Sequence, residues 1–382
     1  VLKKIYYWVD VCHLEQIINK IGFFINSPFH YYLYENTINK LLEKGYECDL
    51  IINDYLLYDP EWKNMYDSNV EFIEGINRED IEAYPCSLLV MNKIRYVCLV
   101  SPYYFDQLST ISVYNIRMVY GAGYGLEKES FNFSYWNTFY DTILNYGKYD
   151  YERTNIFNSG VIVGNPKFDK WFNNEFDVKS IKDELKIDPS KKTILYAPTY
   201  GVHSSIDEWK EQLIQINKEY NIIVKLHHGT AHLSSESIRK DKILSNFNIV
   251  RDDKTNTLEL FKVSDLVISD TSGLIYDALL AQKKIVILNT NKSNRYRDLN
   301  NEAKLLRKVV PSWEKECNIH ENVQNILNES PSKNPDIESL LGDLFAFKDG
   351  LSSKRAADAI IQTFENPKRN QYREDLKRML KL

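Results

Sequence analysis

Cysteine is scarce in this 382-residue chain, and the five present, Cys12, Cys48, Cys86, Cys98 and Cys317, are scattered without a CxxC pair. That spacing argues against a zinc site or a dithiol redox motif, and an odd, sparse count suits a reducing compartment. No apolar run approaches the roughly 18 residues of a membrane-spanning helix, and Val1 to Tyr6 lack the uninterrupted apolar core of a signal peptide. Long runs of one charge are missing too. The 48 basic and 53 acidic residues are mixed along most of the chain and give a formal net charge of −5, which argues against nucleic acid as a partner. What these absences leave is a cytoplasmic globular protein, long enough for two domains with full cores, since single cores stop growing beyond about 250–300 residues. The 27 tyrosines and 17 phenylalanines are numerous but carry little functional weight.

What is there is an alternation of short apolar strands and amphipathic helices. The most complete unit is 265–288, DLVISDTSGLIYDALLAQKKIVIL. Leu266 to Ile268 reads as a strand, Ser269-Asp270-Thr271-Ser272-Gly273 as a polar turn, Leu274 to Ala281 as a helix and Ile285 to Leu288 as a second buried strand. In a parallel sheet that turn lies at the carboxyl end of its strand, where ligands of open α/β sheets collect, and free N–H groups at a helix start favour an anion. Asp270 to Gly273 therefore reads as a phosphate-binding turn, with Ser and Thr acting only as helix caps as the plain alternative. Upstream, strands at Thr193 to Tyr196, Ile222 to Leu226 and Asn248 to Val250 alternate with helices at Ile206 to Tyr220, Ser235 to Leu244 and Thr257 to Val263. This order predicts a doubly wound parallel sheet, with the turns at Pro198-Thr199, His227-His228 and Asp270 to Gly273 along one edge. His227 is the candidate to give a hydrogen bond or a proton to a phosphate; a plain core or surface histidine is the alternative. Metal ligation by the histidine pair is disfavoured, because neighbouring strand residues point oppositely and no carboxylate or cysteine cluster stands nearby in sequence.

The amino-terminal half shows the pattern less clearly. Residues 1–20 read as a short helix; Ile21 to Ile25, the turn Asn26-Ser27-Pro28-Phe29-His30, a helix stopped by Gly45, and Cys48 to Ile52 form a βαβ opening. A right-handed crossover puts Ser27 and His30 at the carboxyl edge, where His30 reads equally as catalytic or as an ordinary helix-start residue. Apolar runs at Ser87 to Met91 and Tyr96 to Val100 follow. A strand at Ile116 to Val119 then runs into Gly121-Ala122-Gly123-Tyr124-Gly125, a turn that lets backbone approach a ligand or a neighbouring strand. Phe131 to Tyr151 reads as an aromatic surface helix. The strand Val161 to Val163 ends at Gly164-Asn165-Pro166, the candidate crossing between domains, which divides the chain into 1–163, 164–350 and closing helices in 351–382. The last of these, Tyr372 to Leu382, is basic with an apolar stripe and leaves a peripheral membrane contact open.

Five stretches, VIVGNPKFD (161–169), TILYAPTY (193–200), VKLH (224–227), DLVISDTSGLIYD (265–277) and DGLSSKR (349–355), stand in the order and approximate spacing of a known family. Over roughly 110–365 the chain resembles the CDP-glycerol glycerophosphotransferases of teichoic-acid and capsule synthesis. The resemblance implies an α/β, GT-B-like architecture: two Rossmann-like doubly wound domains facing across a cleft, closing helices crossing back to the first, and no required metal or cofactor. It implies an enzyme that moves an alditol phosphate, glycerol phosphate first, from a CDP-activated donor to a glycan or lipid-linked glycan acceptor, in the cytoplasm or at the inner face of a membrane. By carry-over, His227 would contact the pyrophosphate and assist loss of the nucleotide. Gly164, Asn165, Pro198, Thr199, His228, Asp270, Thr271, Ser272, Gly273 and Asp277 would bind the donor, and Gly121, Gly123 and Ser27 would lie on the acceptor side. The chain departs from the family where a Trp-His-Gly-Thr-Pro stretch is usual, its counterpart being Tyr120-Gly121-Ala122-Gly123, and His30 is nominated as a substitute base. Lys167, Gly201, His228 and Gly273 also stand where Arg, a basic residue, Pro and Ser are usual. These departures keep two alternatives in view: a GT-B glycosyltransferase using a CMP-, CDP- or UDP-activated sugar, and a catalytically silent binding subunit.

Overall fold

The computed structural model describes residues 15–122, 133–291, 301–330, 334–368 and 370–379. These divide into two compact units, one drawn from 1–120, 131–173 and 344–382, the other from 121–130 and 174–343. The division therefore falls after Asn173 and not after Val163, and the closing helices belong with the first unit.

The first unit is built on seven parallel strands, β1 (Gln16–Ile25), β2 (Cys48–Ile52), β3 (Glu82–Pro85), β4 (Ile94–Ser101), β5 (Ser112–Met118), β6 (Thr142–Asn145) and β7 (Gly160–Ile162), in the order β3-β2-β1-β4-β5-β6-β7. The second has six, β8 (Thr193–Ala197), β9 (Asn221–Lys225), β10 (Ile249–Arg251), β11 (Leu266–Ser269), β12 (Lys284–Leu288) and β13 (Ser312–Trp313), in the order β10-β9-β8-β11-β12-β13. Both orders reverse direction at one point, between β1 and β4 and between β8 and β11. That reversal is the topological switch point of a doubly wound sheet, the place where such sheets take ligands.

Composition explains the layering. Strands such as β2 (CDLII), β8 (TILYA) and β9 (NIIVK) are buried along their whole length, as expected when helices cover both faces of a parallel sheet. The helix Ile206–Ile216 presents Ile206, Trp209, Leu213 and Ile216 to the second sheet at three- and four-residue spacing. In the first unit, Tyr34, Ile38 and Leu41 of the helix Phe29–Glu43 share a core with Phe23, Leu50 and Val100, and so do Ala356, Ala357 and Ile360 of the helix Ser352–Glu365. Among the described residues no helix is long and apolar enough to cross a membrane, and no cluster of His, Cys, Asp or Glu has metal-holding geometry.

Several local expectations change. The helix read over 1–20 is replaced, from Gln16 on, by the first half of β1, where Ile17 is 59% exposed; residues 1–14 lie outside the described residues. The run Ser87 to Met91 belongs to a short helix, Cys86–Met91, since periodicity cannot separate helix from strand over so few residues. The aromatic stretch 131–151 is not one helix: within it are a 3-10 turn, Tyr135–Phe139, then β6 and the start of the helix Lys148–Thr154.

The stretches VIVGNPKFD and DGLSSKR meet inside the first unit. Gly164 has φ +86, and a Cβ there would stand 2.3 Å from Ser352 Oγ, so glycine is required twice over. The Asp169 carboxylate accepts the N–H groups of Ser352 at 3.0 Å and Ser353 at 2.6 Å, satisfying donors at the start of the helix Ser352–Glu365. Arg355 pairs with Asp349 and lies 3.7 Å over the Phe347 ring.

Candidate functional site

Three turns leave the carboxyl edge of the second sheet, after β8, β9 and β11. Two residues, Asp270 and Tyr200, tie them together. Asp270, 1% exposed, accepts from the backbone N–H of Thr199 (2.9 Å), the N–H of Ser205 (2.9 Å) and Ser205 Oγ (2.9 Å), fastening the β8 turn to β11. Burial pushes the Asp270 carboxyl upward in pKa, and these donors oppose the shift. Its oxygens take N–H and O–H groups of the neighbouring loop, so Asp270 shapes the turn that carries Thr271 and Ser272. Ser269 Oγ adds a buried bond to the Ala197 carbonyl, 2.6 Å.

Tyr200 joins the β8 turn to the β9 turn. Its ring stacks on His227 with centroids 4.5 Å apart and planes inclined by 20°. Gly229 makes room for this stack: a Cβ there would stand 2.6 Å from the Tyr200 ring. His227 Nδ1 accepts the Gly229 N–H at 3.0 Å, which leaves the proton of the neutral imidazole on Nε2. Burial, together with the neighbouring His228 and Lys225, holds the His227 pKa well below its ordinary value. His228 is likewise pushed down, to about 4, mainly by burial, with Asp253 acting the other way. Both rings are therefore neutral near pH 7, and of the two roles read for His227, a hydrogen bond or a proton, this geometry suits the first.

Behind the pair lies a group the sequence did not reveal. Asp253 and His232 form a buried contact, Nε2 to Oδ1 2.7 Å, and Lys225, 8% exposed, gives its ammonium to the Leu226 carbonyl at 3.1 Å. Only the order of strands brings residues 225, 232 and 253 together, and no spacing rule announces it.

On the β11 turn, Thr271 is exposed and Ser272 and Gly273 are half-buried. The helix that follows, Leu274–Leu280, has seven residues and begins at Gly273, which has no side chain to cap it. Ser272 Oγ accepts the Leu274 N–H at a long 3.4 Å, so capping is only partly its task. Asp277, 8% exposed, sits one turn into that helix. Pro198 and Thr199 lie on the β8 turn between the other two. β8 separates β9 from β11, so the His227 and Thr271 turns are about 10 Å apart along the edge.

Gly164 and Asn165 belong to the first unit, where Gly164 packs on Ser352 and Asn165 is 2% exposed. Ser27 and His30 lie at the switch-point edge of the first sheet, as the βαβ reading expected, but they are 1% and 2% exposed. His30 packs among Phe29, Tyr103 and Tyr120 at centroid distances of 4.3, 5.8 and 6.0 Å. Its Nδ1 accepts the Asn26 N–H at 3.2 Å, so the lone pair a base needs is engaged and the ring proton is on Nε2. In this arrangement His30 holds the turn after β1 through Asn26. Gly121 has φ +72 and groups with the second unit; Gly123 lies outside the described residues.

Two Rossmann-order sheets with their polar turns at the switch points define a GT-B-like protein. The profile of the CDP-glycerol:poly(glycerophosphate) glycerophosphotransferase family matches residues 127–362, and the chain belongs to that family. The teichoic acid poly(glycerol phosphate) polymerase of Bacillus spizizenii is 28% identical over 136 residues, which span 33% of this chain and 33% of that protein. The solved wall teichoic acid polymerase TagF superposes with a TM-score of 0.62 at 16% identity, covering 91% of this chain and 89% of that one. The MnaA-UDP co-structure from S. aureus superposes at 0.56 and 13% identity, covering 92% and 98%.

Proposed function

We propose that this chain transfers an alditol phosphate, glycerol phosphate first, from a CDP-activated donor to a hydroxyl of a glycan or lipid-linked glycan, without a metal or other cofactor. The observation that carries the reading is His227: a neutral imidazole, locked in one tautomer by Gly229 and in one orientation by Tyr200, on the same sheet edge as the Thr271–Gly273 turn. The acceptor oxygen forms a bond to the phosphorus bearing the alditol, the anhydride P–O bond breaks, CMP leaves and the hydroxyl proton is released. Charge grows on the departing phosphate, where the Nε2–H of His227 stabilises it, with the Lys225 ammonium behind. Hydroxyls of Thr271 and Ser272 hold the remaining phosphate oxygens. Work at the inner face of a membrane belongs to the same proposal; Tyr372 and Met379, each 79% exposed on the helix Gln371–Met379, are the side chains that would meet lipid. Co-sedimentation with anionic vesicles, lost on Tyr372→Ser, checks that part.

The test is a thermal-shift panel followed by turnover. CDP-glycerol should raise the melting temperature and UDP-sugars should not, because only a ligand of the folded state stabilises it. With an acceptor present, His227→Asn should keep the shift and release CMP about 100-fold more slowly. Stabilisation by UDP-sugars alone would return the assignment to a glycosyltransferase, and indifference to every nucleotide would make the chain a silent binding subunit.

A further inference from the structure

We propose that the first unit carries a second binding site, for a neutral polyhydroxylated ligand of the glycan class, at the amino-terminal edge of its sheet. A pocket of about 340 Å³ opens there, between the starts of β6 and β7 and the segment that joins the helices Ser352–Glu365 and Gln371–Met379. Thr142 and Gly160, the first residues of β6 and β7, line it, so it lies at the opposite end of the strands from Ser27 and His30. It is not part of the switch-point edge where such sheets take their usual ligands.

The chemistry of the walls selects the ligand. Tyr114 and Phe157 supply aromatic surface, on which the apolar face of a sugar ring can rest. Asn158, Gln362 and Asn366 supply side-chain amides that make no hydrogen bond to any described residue. Each amide is both donor and acceptor, the match required by hydroxyl groups, which are also both. Charge in the pocket is largely cancelled: Arg373, 5% exposed, is held by Asp141 at 2.6 Å. That leaves Lys368 as the one uncompensated cation among the described lining residues, too little to make this a phosphate site.

A second, independent observation points to the same place. Phe157 and Asn158 are consecutive residues in the left-handed region, with φ 56 and 58. Asparagine tolerates that conformation, whereas phenylalanine there costs about 1–2 kcal/mol. The strained turn is held by Asn370, whose Nδ2 donates to the Phe157 carbonyl at 3.2 Å, and it places Phe157 in the pocket wall. Strain of this kind collects at ligand sites, where surrounding structure holds a geometry that the local chain disfavours.

The inference stands on this pocket and does not depend on the reaction proposed above. Saturation-transfer NMR on the full chain, with chitotriose and maltotriose as probes, tests it. At least one triose should bind in the millimolar range, and Gln362→Ala with Asn366→Ala, both at exposed positions, should weaken it about tenfold or more with an unchanged melting temperature. Phe157→Gly removes the ring and the strain together, so it should weaken binding while the melting temperature stays level or rises. Absence of transfer from both trioses at about 20 mM, or a double variant that binds as the wild type does, overturns the proposal.

Discussion

His227 carries the second unit's chemistry through what it does not do. With its pKa held well below the ordinary histidine value, it gives a hydrogen bond and keeps its proton. Turnover should then show no ionisation at the usual histidine pKa near 6.5: kcat/KM should stay flat through about pH 6–8, and His227→Asn should lower its level without moving its shape. Gly229→Ala tests the support behind the ring. The added methyl meets the Tyr200 ring at 2.6 Å, so Tyr200 must move off His227, and CMP release should slow about tenfold, with the donor-induced thermal shift kept and little change in the melting temperature of the free protein. The sheet edge itself was legible, because a histidine after one apolar strand and a Thr-Ser-Gly turn after another announce it. The role of Tyr200 was not, since stacking across two turns depends on strand order. Nor was the burial of His30, which comes from Tyr103 and Tyr120, far from it in sequence.

Among the elements, the joint between 164–169 and the helix Ser352–Glu365 shows a motif whose visible residues serve architecture. Asp169→Ala removes the acceptor of two helix-start N–H groups and should cost about 1–2 kcal/mol in urea unfolding, with donor binding intact. Gly164→Ala should cost more, about 2–4 kcal/mol, since it adds a left-handed strain to a clash with Ser352. The sequence displayed both stretches plainly, yet they are 183 residues apart at Asp169 and Ser352, and no local rule pairs them. Strand legibility followed a similar logic. β8 to β12 of the second unit centre on short apolar runs and were readable; the two-residue β13, β6, four residues set among tyrosines, and the exposed half of β1 were hidden by their surroundings.

For the whole molecule, pH acts through the same histidines. The folded pKa of His228, about 4, lies below that of an unfolded histidine, near 6.5, so the unfolded chain binds the extra proton first as pH falls. Stability should therefore be undiminished above about pH 6.5 and decline between about pH 6.5 and 4, by on the order of 1–3 kcal/mol, and His228→Asn should flatten that limb of a melting-temperature profile. The doubly wound class was legible at this scale from the order of strands and helices, whereas the division after Asn173 was not, because the chain returns to its first sheet only at the end. That return has a consequence for synthesis. The segment 174–343 is continuous, so its own β8 to β13 sheet can close as soon as that stretch leaves the ribosome. The strands made before it still await Ala356, Ala357 and Ile360. Strands translated before 174–343 are thus sealed after it, and a nascent chain stalled so that 174–343 has emerged while Ala356 to Ile360 are still inside the ribosome should expose its first sheet to chaperones while its second is already closed.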